Sequence, residues 1–436
     1  MSASTSAAPQ PLKSRMLRLV IANSALWAAG NSLTTGGFLN YFAAELGAST
    51  FLLALIAATP ETLGISGLAT RPLLRWGVRR KSLFLITSLL TRAAALGVPM
   101  LAWAGTESSG EWTPWWLWTA IAFAAVFQGL SAVAYHTWLA DALAVSEWGR
   151  FFAWRNISSN SIQLVLPLAG ALLRDYWKSH LPPEWRLFTY SVVFLLGITL
   201  QLASLLPILR LPDVPPDLSP RRTDWSLLGT IGRDKNVRWL LAHSWCLAAA
   251  NGLTQAVFIK YQIQVLHLSL SRYYLLADLM WAMQILTSGL AGWSAVRHGH
   301  RPALLWGSLA ASCALPFWFF ATETTWWLLI GAFLCWGAFG AVNVAGPNLM
   351  LSFAPRGDST IQLGLFRQAA GFIAGVSGIA GGLWLDALLH AKFAWTLYEQ
   401  LSIDGYRLIF LVSWIGRVIA ALLVLGVREG RSNQNS

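Results

Sequence analysis

Charged residues are scarce: Asp, Glu, Lys and Arg make up 11% of the 436 residues, while 56% are hydrophobic. So little polar surface cannot cover a water-soluble globule of this size, which excludes a soluble enzyme or binding module. Cysteine is scarcer still. Cys246, Cys313 and Cys335 stand singly inside apolar runs, with no CxxC and no His at ligand spacing, so they read as small core residues and imply neither disulfide nor zinc. No GxxxxGK[ST] loop is present, which leaves direct ATP hydrolysis unsupported, and no cofactor is expected. His136 and Asp141 stand at a His-x4-Asp spacing, but on a continuous helix their side chains point about 140° apart, poor geometry for a catalytic dyad. The sequence therefore reads as a non-enzyme.

What the chain has is apolar length. Runs of about 20 residues, enough to cross about 30 Å of hydrocarbon, lie near 18–43, 50–70, 83–104, 114–140, 150–172, 187–209, 239–263, 272–296, 302–321, 325–353, 360–385 and 407–427. Each must satisfy its own backbone hydrogen bonds, so helices are expected. The net charge of +12 sits in short clusters between these runs and forms no continuous basic face, which argues against nucleic acid and for membrane topology. With the N-terminus inside, the inner connections hold 20 Lys and Arg and the outer loops 6. That bias places both termini in the cytosol. The densest cluster, "RPLLRWGVRRKS" from Arg71, holds the loop between the second and third spans inside. The leader lacks a convincing cleavage site and reads as a cytosolic tail over 1–17.

The chain divides at its longest polar connection, 210–238, where prolines stop a helix and "DWSLLGTI" has the pattern of a short surface helix. Six-helix bundles over 18–209 and 239–427 and a C-terminal tail over 428–436 complete the expected organisation. The halves repeat each other. At an offset of 220, "RLVIANSALWAAGNSLTTGGFLNY" from Arg18 and "RWLLAHSWCLAAANGLTQAVFIKY" from Arg238 share ten identities in 24 positions, Asn31 with Asn251 and Thr34 with Thr254 among them. Apolar runs alone do not align polar residues, so a duplicated unit is expected. The basic loop recurs as well, Gly67 over Gly289 and Gly77 over Gly299 at an offset of 222.

Six plus six helices with a basic, glycine-bearing loop after the second and eighth resemble the major facilitator superfamily. The family's loop signature, Gly-x3-Asp-Arg-x-Gly-x-Arg, is matched at Gly292, Arg297, Gly299 and Arg301, and in the first half at Arg75, Gly77 and Arg79. Its acidic position is Leu74 in one copy and Val296 in the other. Arg80 and Asp141 belong to the same expected cytosolic gate, with Asp141 as partner for Arg79 or Arg80; Arg155 and Arg367 open the fifth and eleventh helices in similar loops. The resemblance implies two bundles rocking about a cavity lined mostly by helices 1, 4, 7 and 10. It also implies a monomeric secondary transporter in the lipid bilayer, of the bacterial inner-membrane kind, that carries a small-molecule solute by alternating access.

Depth counting adds candidates independently. Asn31, Gln128, Asn251 and Asn343 each lie thirteen residues from a cytosolic charge, about 20 Å deep at 1.5 Å per residue. Amides at that depth either contact substrate or hydrogen-bond a neighbouring helix. Thr34, Thr35, Tyr135, Gln163, Thr254, Gln255 and Asn348 are second-rank candidates for the same cavity. Glu61 and Arg92 lie about 15 Å deep on neighbouring helices, as a static ion pair or as a carboxylate that carries protons. Lys260 and Asp278 form a second candidate pair near the outer surface, as outer gate or loop electrostatics. Arg417, midway along the last helix, has no evident partner. Facilitative uniport without ion coupling is the alternative reading, and a non-transporting receptor or assembly factor on the same fold is the alternative of another class.

Overall fold

A computed structural model describes residues 10–104, 112–142, 148–182, 185–211, 233–353, 360–398 and 401–428. The expected surface helix in the central connection and the two tails beyond these limits lie outside the described residues. Among the described residues, nine helical stretches are long and apolar enough to cross a membrane: Thr50–Gly67, Arg80–Trp103, Thr113–Tyr135, Phe188–Leu209, Leu270–Ala295, His300–Phe320, Leu328–Met350, Ala369–His390 and Gly405–Gly426. Three more helices, α1 (Gln10–Thr34), α8 (Trp148–His180) and α11 (Lys235–Lys260), have the length but more polar side chains. They stand where the first, fifth and seventh spans are expected. Phe123, Val165, Leu206 and Leu275 are exposed apolar side chains on these helices, as lipid-facing positions of an integral membrane protein should be.

The chain forms two compact units, residues 1–39 with 66–219 and residues 40–65 with 220–436. In the first, α1 and α8 are joined by α4 (Thr70–Arg75), α5 (Arg80–Ala95), α6 (Gly97–Ala104), α7 (Thr113–Ala142), α9 (Phe188–Ala203) and α10 (Leu205–Leu209). The α1–α9 seam is close because both helices present glycine: a Cβ on Gly197 would stand 2.9 Å from the Gly30 carbonyl oxygen. Polar side chains fix its register. Asn23 Nδ2 donates to the Ser204 carbonyl at 2.7 Å, and Gln201 Nε2 to Thr34 Oγ1 at 2.7 Å. The Ser88 and Ser131 hydroxyls, 2.6 Å apart, tie α5 to α7. Val20, Leu83, Phe84, Trp138 and Ile208 fill the core at one end.

The second unit contains α3 (Thr50–Leu63), α11, α12 (Leu270–His298), α13 (His300–Ser312), α14 (Ala314–Phe320), α15 (Leu328–Trp336), α16 (Phe339–Ser352), α17 (Thr360–His390) and α18 (Gly405–Leu423); α2 (Gly37–Glu45) spans the boundary between units. Several starts are capped as helix termini require: Ser49, Asp234, Ser269 and Asp404 each accept a bond from a backbone N–H of the following turn. Helix α17 lies between α3 and α11, and glycine shapes both contacts. A Cβ on Gly382 would stand 2.7 Å from Ala54 Cβ on α3, and one on Gly381 would stand 2.8 Å from the Leu253 carbonyl carbon on α11. On another face of α11, Ser413 of α18 donates to the Ala250 carbonyl at 2.7 Å and the His243 ring bonds the Ala420 carbonyl at 2.7 Å. One element departs from the all-α expectation: β1 (Ala394–Tyr398) and β2 (Leu401–Asp404) form an antiparallel hairpin before α18.

The repeat continues beyond the stretch from which it was inferred. Helices α1 and α11 correspond at an offset of 220, α9–α10 and α18 at 216, so that Asn23 to Ser204 becomes His243 to Ala420, and Gln201 to Thr34 becomes Arg417 to Thr254. Arg417 thereby acquires an explanation. It is 2% exposed, with Nε donating to Ser413 Oγ at 3.2 Å and one terminal nitrogen to Thr254 Oγ1 at 3.1 Å, and so ties α18 to α11 as Gln201 ties α9 to α1.

Candidate functional site

Each unit contains a cavity with polar side chains set in apolar walls, and the two share corresponding positions. In the first unit a cavity of about 120 Å³ is lined by Asn23, Ser24 and Trp27 of α1, Phe84 and Arg92 of α5, Gln128, Ser131 and Tyr135 of α7, and Ser204. In the second, a cavity of about 220 Å³ is lined by His243, Ser244 and Asn251 of α11, Leu304 of α13, Asn343, Gly346 and Pro347 of α16, and Phe366 of α17. Asn23, Ser24 and Phe84 correspond to His243, Ser244 and Leu304 at the offset of 220. Pro347 adds an acceptor, since a proline has no N–H to give the carbonyl four residues earlier, that of Asn343.

Of the depth-counted candidates, Gln128, Tyr135, Asn251 and Asn343 reach these cavities. The others do not line them. The Asn31 side chain turns back on its own helix, donating to Thr35 Oγ1 at 3.3 Å. Thr34 and Thr254 serve the helix seams already described, the Gln255 amide oxygen lies by Gly378 of α17, and Asn348 bonds the Val344 carbonyl within α16. Gln163 is half-buried on α8. Counting along a helix gives depth but not azimuth, which is why Asn23, Ser24 and Ser131 were missed; the signal available was the Ser24–Ser244 match in the repeat.

Arg92 is 2% exposed. One terminal nitrogen donates to the Ser88 carbonyl at 3.0 Å, and Nε has no hydrogen-bond partner among the described residues. In the second unit, Glu61 stands on α3 against α17, where glycine makes room for it: a Cβ on Gly371 would lie 2.9 Å from Glu61 Oε2. Lys260 pairs differently from the expectation. Its ammonium reaches Asp386 Oδ1 of α17 at 3.4 Å and bonds the Thr50 hydroxyl, while Asp386 Oδ2 accepts the Phe51 N–H at 3.0 Å. The partner is thus Asp386, delivered by the α11–α17 seam, and not Asp278, which has a buried carboxylate oxygen without a hydrogen-bond partner among the described residues.

In the basic loops Gly77 and Gly299 have φ of +87° and +83°, the left-handed turn that glycine takes without strain. The first loop is two residues longer, since Arg79 precedes α5 whereas Gly299 itself precedes α13. This corrects the offset of 222 read from the glycines: the counterpart of Arg301 is Lys81, not Arg79. Lys81 Nζ donates to the Leu209 and Leu211 carbonyls at 3.1 and 2.5 Å, and Arg301 to the Val424 and Leu425 carbonyls at 3.4 and 2.9 Å. Both cations thereby cap the end of a helix whose last carbonyls lack partners. Arg297 stacks over Trp293 at 4.5 Å, Arg79 is exposed and Arg80 half-buried. The backbones of Arg75, Asp141, Arg155 and Arg367 are helical; their side chains, and with them the expected Asp141 pairing, lie outside what the structure describes.

Comparison with known proteins agrees with this architecture. No curated protein matches the sequence significantly. Among solved structures, a proton-dependent oligopeptide transporter has a TM-score of 0.67 at 13% identity, covering 95% of this chain and 98% of its own. A bacterial homolog to the human lysosomal transporter Spinster scores 0.66 at 14% identity, covering 97% and 98%, and the nucleoside transporter NupG scores 0.65 at 14%, covering 96% and 100%. The family profile described as Major Facilitator Superfamily matches residues 20–379. The chain belongs to the major facilitator superfamily and is a secondary transporter.

Proposed function

We propose that the protein carries a small polar organic solute across a bacterial-type inner membrane by alternating access, as a monomer with both termini in the cytosol. The observation that carries this reading is the pair of corresponding polar cavities, one in each repeat. Amides and hydroxyls buried in a membrane protein are costly unless they meet a partner, and a hydrated solute is such a partner. The similar structures are described as transporters of nucleosides and oligopeptides, which are solutes of that kind.

Proton coupling is the accompanying reading, favoured by the Glu61 carboxylate seated against Gly371 on α17. Reconstitution into vesicles with a panel of sugars, nucleosides, amino acids and organic acids tests both. Flux of at least one solute is expected, accelerated by a pH gradient and losing that acceleration in Glu61→Gln. Gradient-driven accumulation that survives Glu61→Gln removes Glu61 from the coupling, flux indifferent to the gradient indicates uniport, and no flux for any solute counts against transport.

A further inference from the structure

Among the described residues three arginines are almost wholly buried, and their surroundings differ. Arg174 lies 3.0 Å from the Asp175 carboxylate and over the Tyr190 ring at 4.6 Å. Arg417 donates to two hydroxyls in a helix seam, and its other terminal nitrogen has no hydrogen-bond partner among the described residues. Arg92 opens on the first-unit cavity, and among the described residues that cavity has no acidic lining. It donates to the carbonyl of Ser88 on its own helix, four residues back. A guanidinium keeps its proton, so this one cannot escape its burial by becoming neutral.

The repeat supplies a control for what the fold itself needs at this position. At the offset of 220, Ser88 corresponds to Ser308 and Arg92 to Ser312, whose hydroxyl donates to the Ser308 carbonyl at 2.7 Å. The second half thus makes the same four-residue back-bond with a neutral side chain. The bond does not require a cation. A charge retained there, facing a cavity lined by the Ser24, Ser131 and Tyr135 hydroxyls and the Gln128 amide, has the composition of an oxyanion site: one fork-shaped cation surrounded by neutral donors. Trp27 and Phe84 supply apolar wall for an organic body. The cavity of about 120 Å³ has room for roughly four waters at about 30 Å³ each, and so for an anionic headgroup on a short carbon skeleton.

We propose that Arg92 recognises the solute, and that the solute carries a carboxylate or phosphate group which enters the first-unit cavity. This deepens the transport reading and rests on it only for the solute's being carried, not for its being bound. Binding is measured by thermal shift and titration calorimetry on the purified full-length protein. The probes are paired: lactate with lactamide, 3-hydroxybutyrate with its amide, galacturonate with galactose, glycerol 3-phosphate with glycerol. The first three pairs report carboxylate recognition and the last reports phosphate. An anionic member should stabilise the protein and its neutral partner should not. Arg92→Ser, which installs the side chain that the second half carries, should weaken that binding roughly ten- to hundredfold, while Arg92→Lys retains part of it. Charge-dependent loss in a variant that elutes as a single peak and melts within a few degrees of wild type separates recognition from folding. The proposal is overturned if no anionic probe binds, if the neutral partners bind as well, or if Arg92→Ser binds the anion within twofold of wild type. Vesicle flux then distinguishes the two readings. Anion binding through Arg92 without flux refutes transport alone, and flux of a neutral solute undisturbed by Arg92→Ser refutes the anion site alone.

Discussion

Gly381→Ala is expected to destabilise the protein more than a methyl group's size suggests. The added Cβ would stand 2.8 Å from the Leu253 carbonyl carbon and 3.1 Å from its Cα, and closer still to the carbonyl oxygen. Carbon atoms rest at about 3.5–4.0 Å, so α17 and α11 must part by roughly 1 Å. Neither neighbour is the loose end of a flexible side chain, and no rotamer change relieves the overlap. Overpacking of this kind costs about 1–3 kcal/mol, against a gain of up to about 1 kcal/mol from replacing glycine in a helix. Gly289→Ala, on α12, is the matched control. Nothing lies within 4 Å of its added Cβ, so only the helical gain of about 0.5–1 kcal/mol remains. Thermal and denaturant unfolding in one detergent, followed by the fluorescence of the 25 tryptophans, should place the two variants on opposite sides of wild type. A Gly381→Ala protein that melts at or above wild type, or a Gly289→Ala protein that falls as far, would refute the reasoning.

Two further outcomes are expected. Arg417→Ala should lower stability by about 2–4 kcal/mol, through lost hydrogen bonds to Ser413 and Thr254 and the space left behind; Arg417→Gln, which copies Gln201 of the first half, should recover part of it, and equal losses in both variants would show that the Thr254 bond contributes nothing. Asp386→Asn and Lys260→Met each leave one member of a half-buried ion pair uncompensated, so unfolding of the double variant should be less impaired than the sum of the singles by about 1 kcal/mol, with strict additivity as the contrary result.

Fold class was legible in the sequence because membrane helices advertise themselves by length and apolarity, and because a duplication leaves polar residues such as Asn31 and Asn251 in step. Its limits were equally physical. The offset is 220 for α1 against α11 but 216 for α9–α10 against α18, since intervening loops differ in length, and that shift hid the correspondence of Gln201 with Arg417. Glycine spacing suggested pairing Arg79 with Arg301, whereas the helix starts align Lys81 with it. Lys260 and Asp278 share a depth near the outer surface, but equal depth does not fix a partner; Asp386, 126 residues away, arrives through the packing of glycine surfaces that no linear pattern displays. In the cavities, Gln128 and Asn343 followed from depth, while Asn23 and His243 required knowing which side of each helix faces inward.

The two glycine seams of α17 have a mechanical consequence. Side chains interlocked across a helix pair act as teeth: sliding one helix along the other forces each rotamer out of its well. A seam of Cα against carbonyl has few teeth, and shear along it is opposed by little beyond weak contacts between backbones. Helix α17 has such a surface toward α11 at Gly381, while toward α3 Gly375 and Gly382 meet only the short side chains of Thr62 and Ala54 and the α3 backbone, and near one end Asp386 ties it to both neighbours. Within its unit α17 is therefore positioned by a few polar ties and not by interlocked side chains: Ser377, which donates to the Ala249 carbonyl of α11 at 2.6 Å, and the point where Asp386, Lys260 and Thr50 meet.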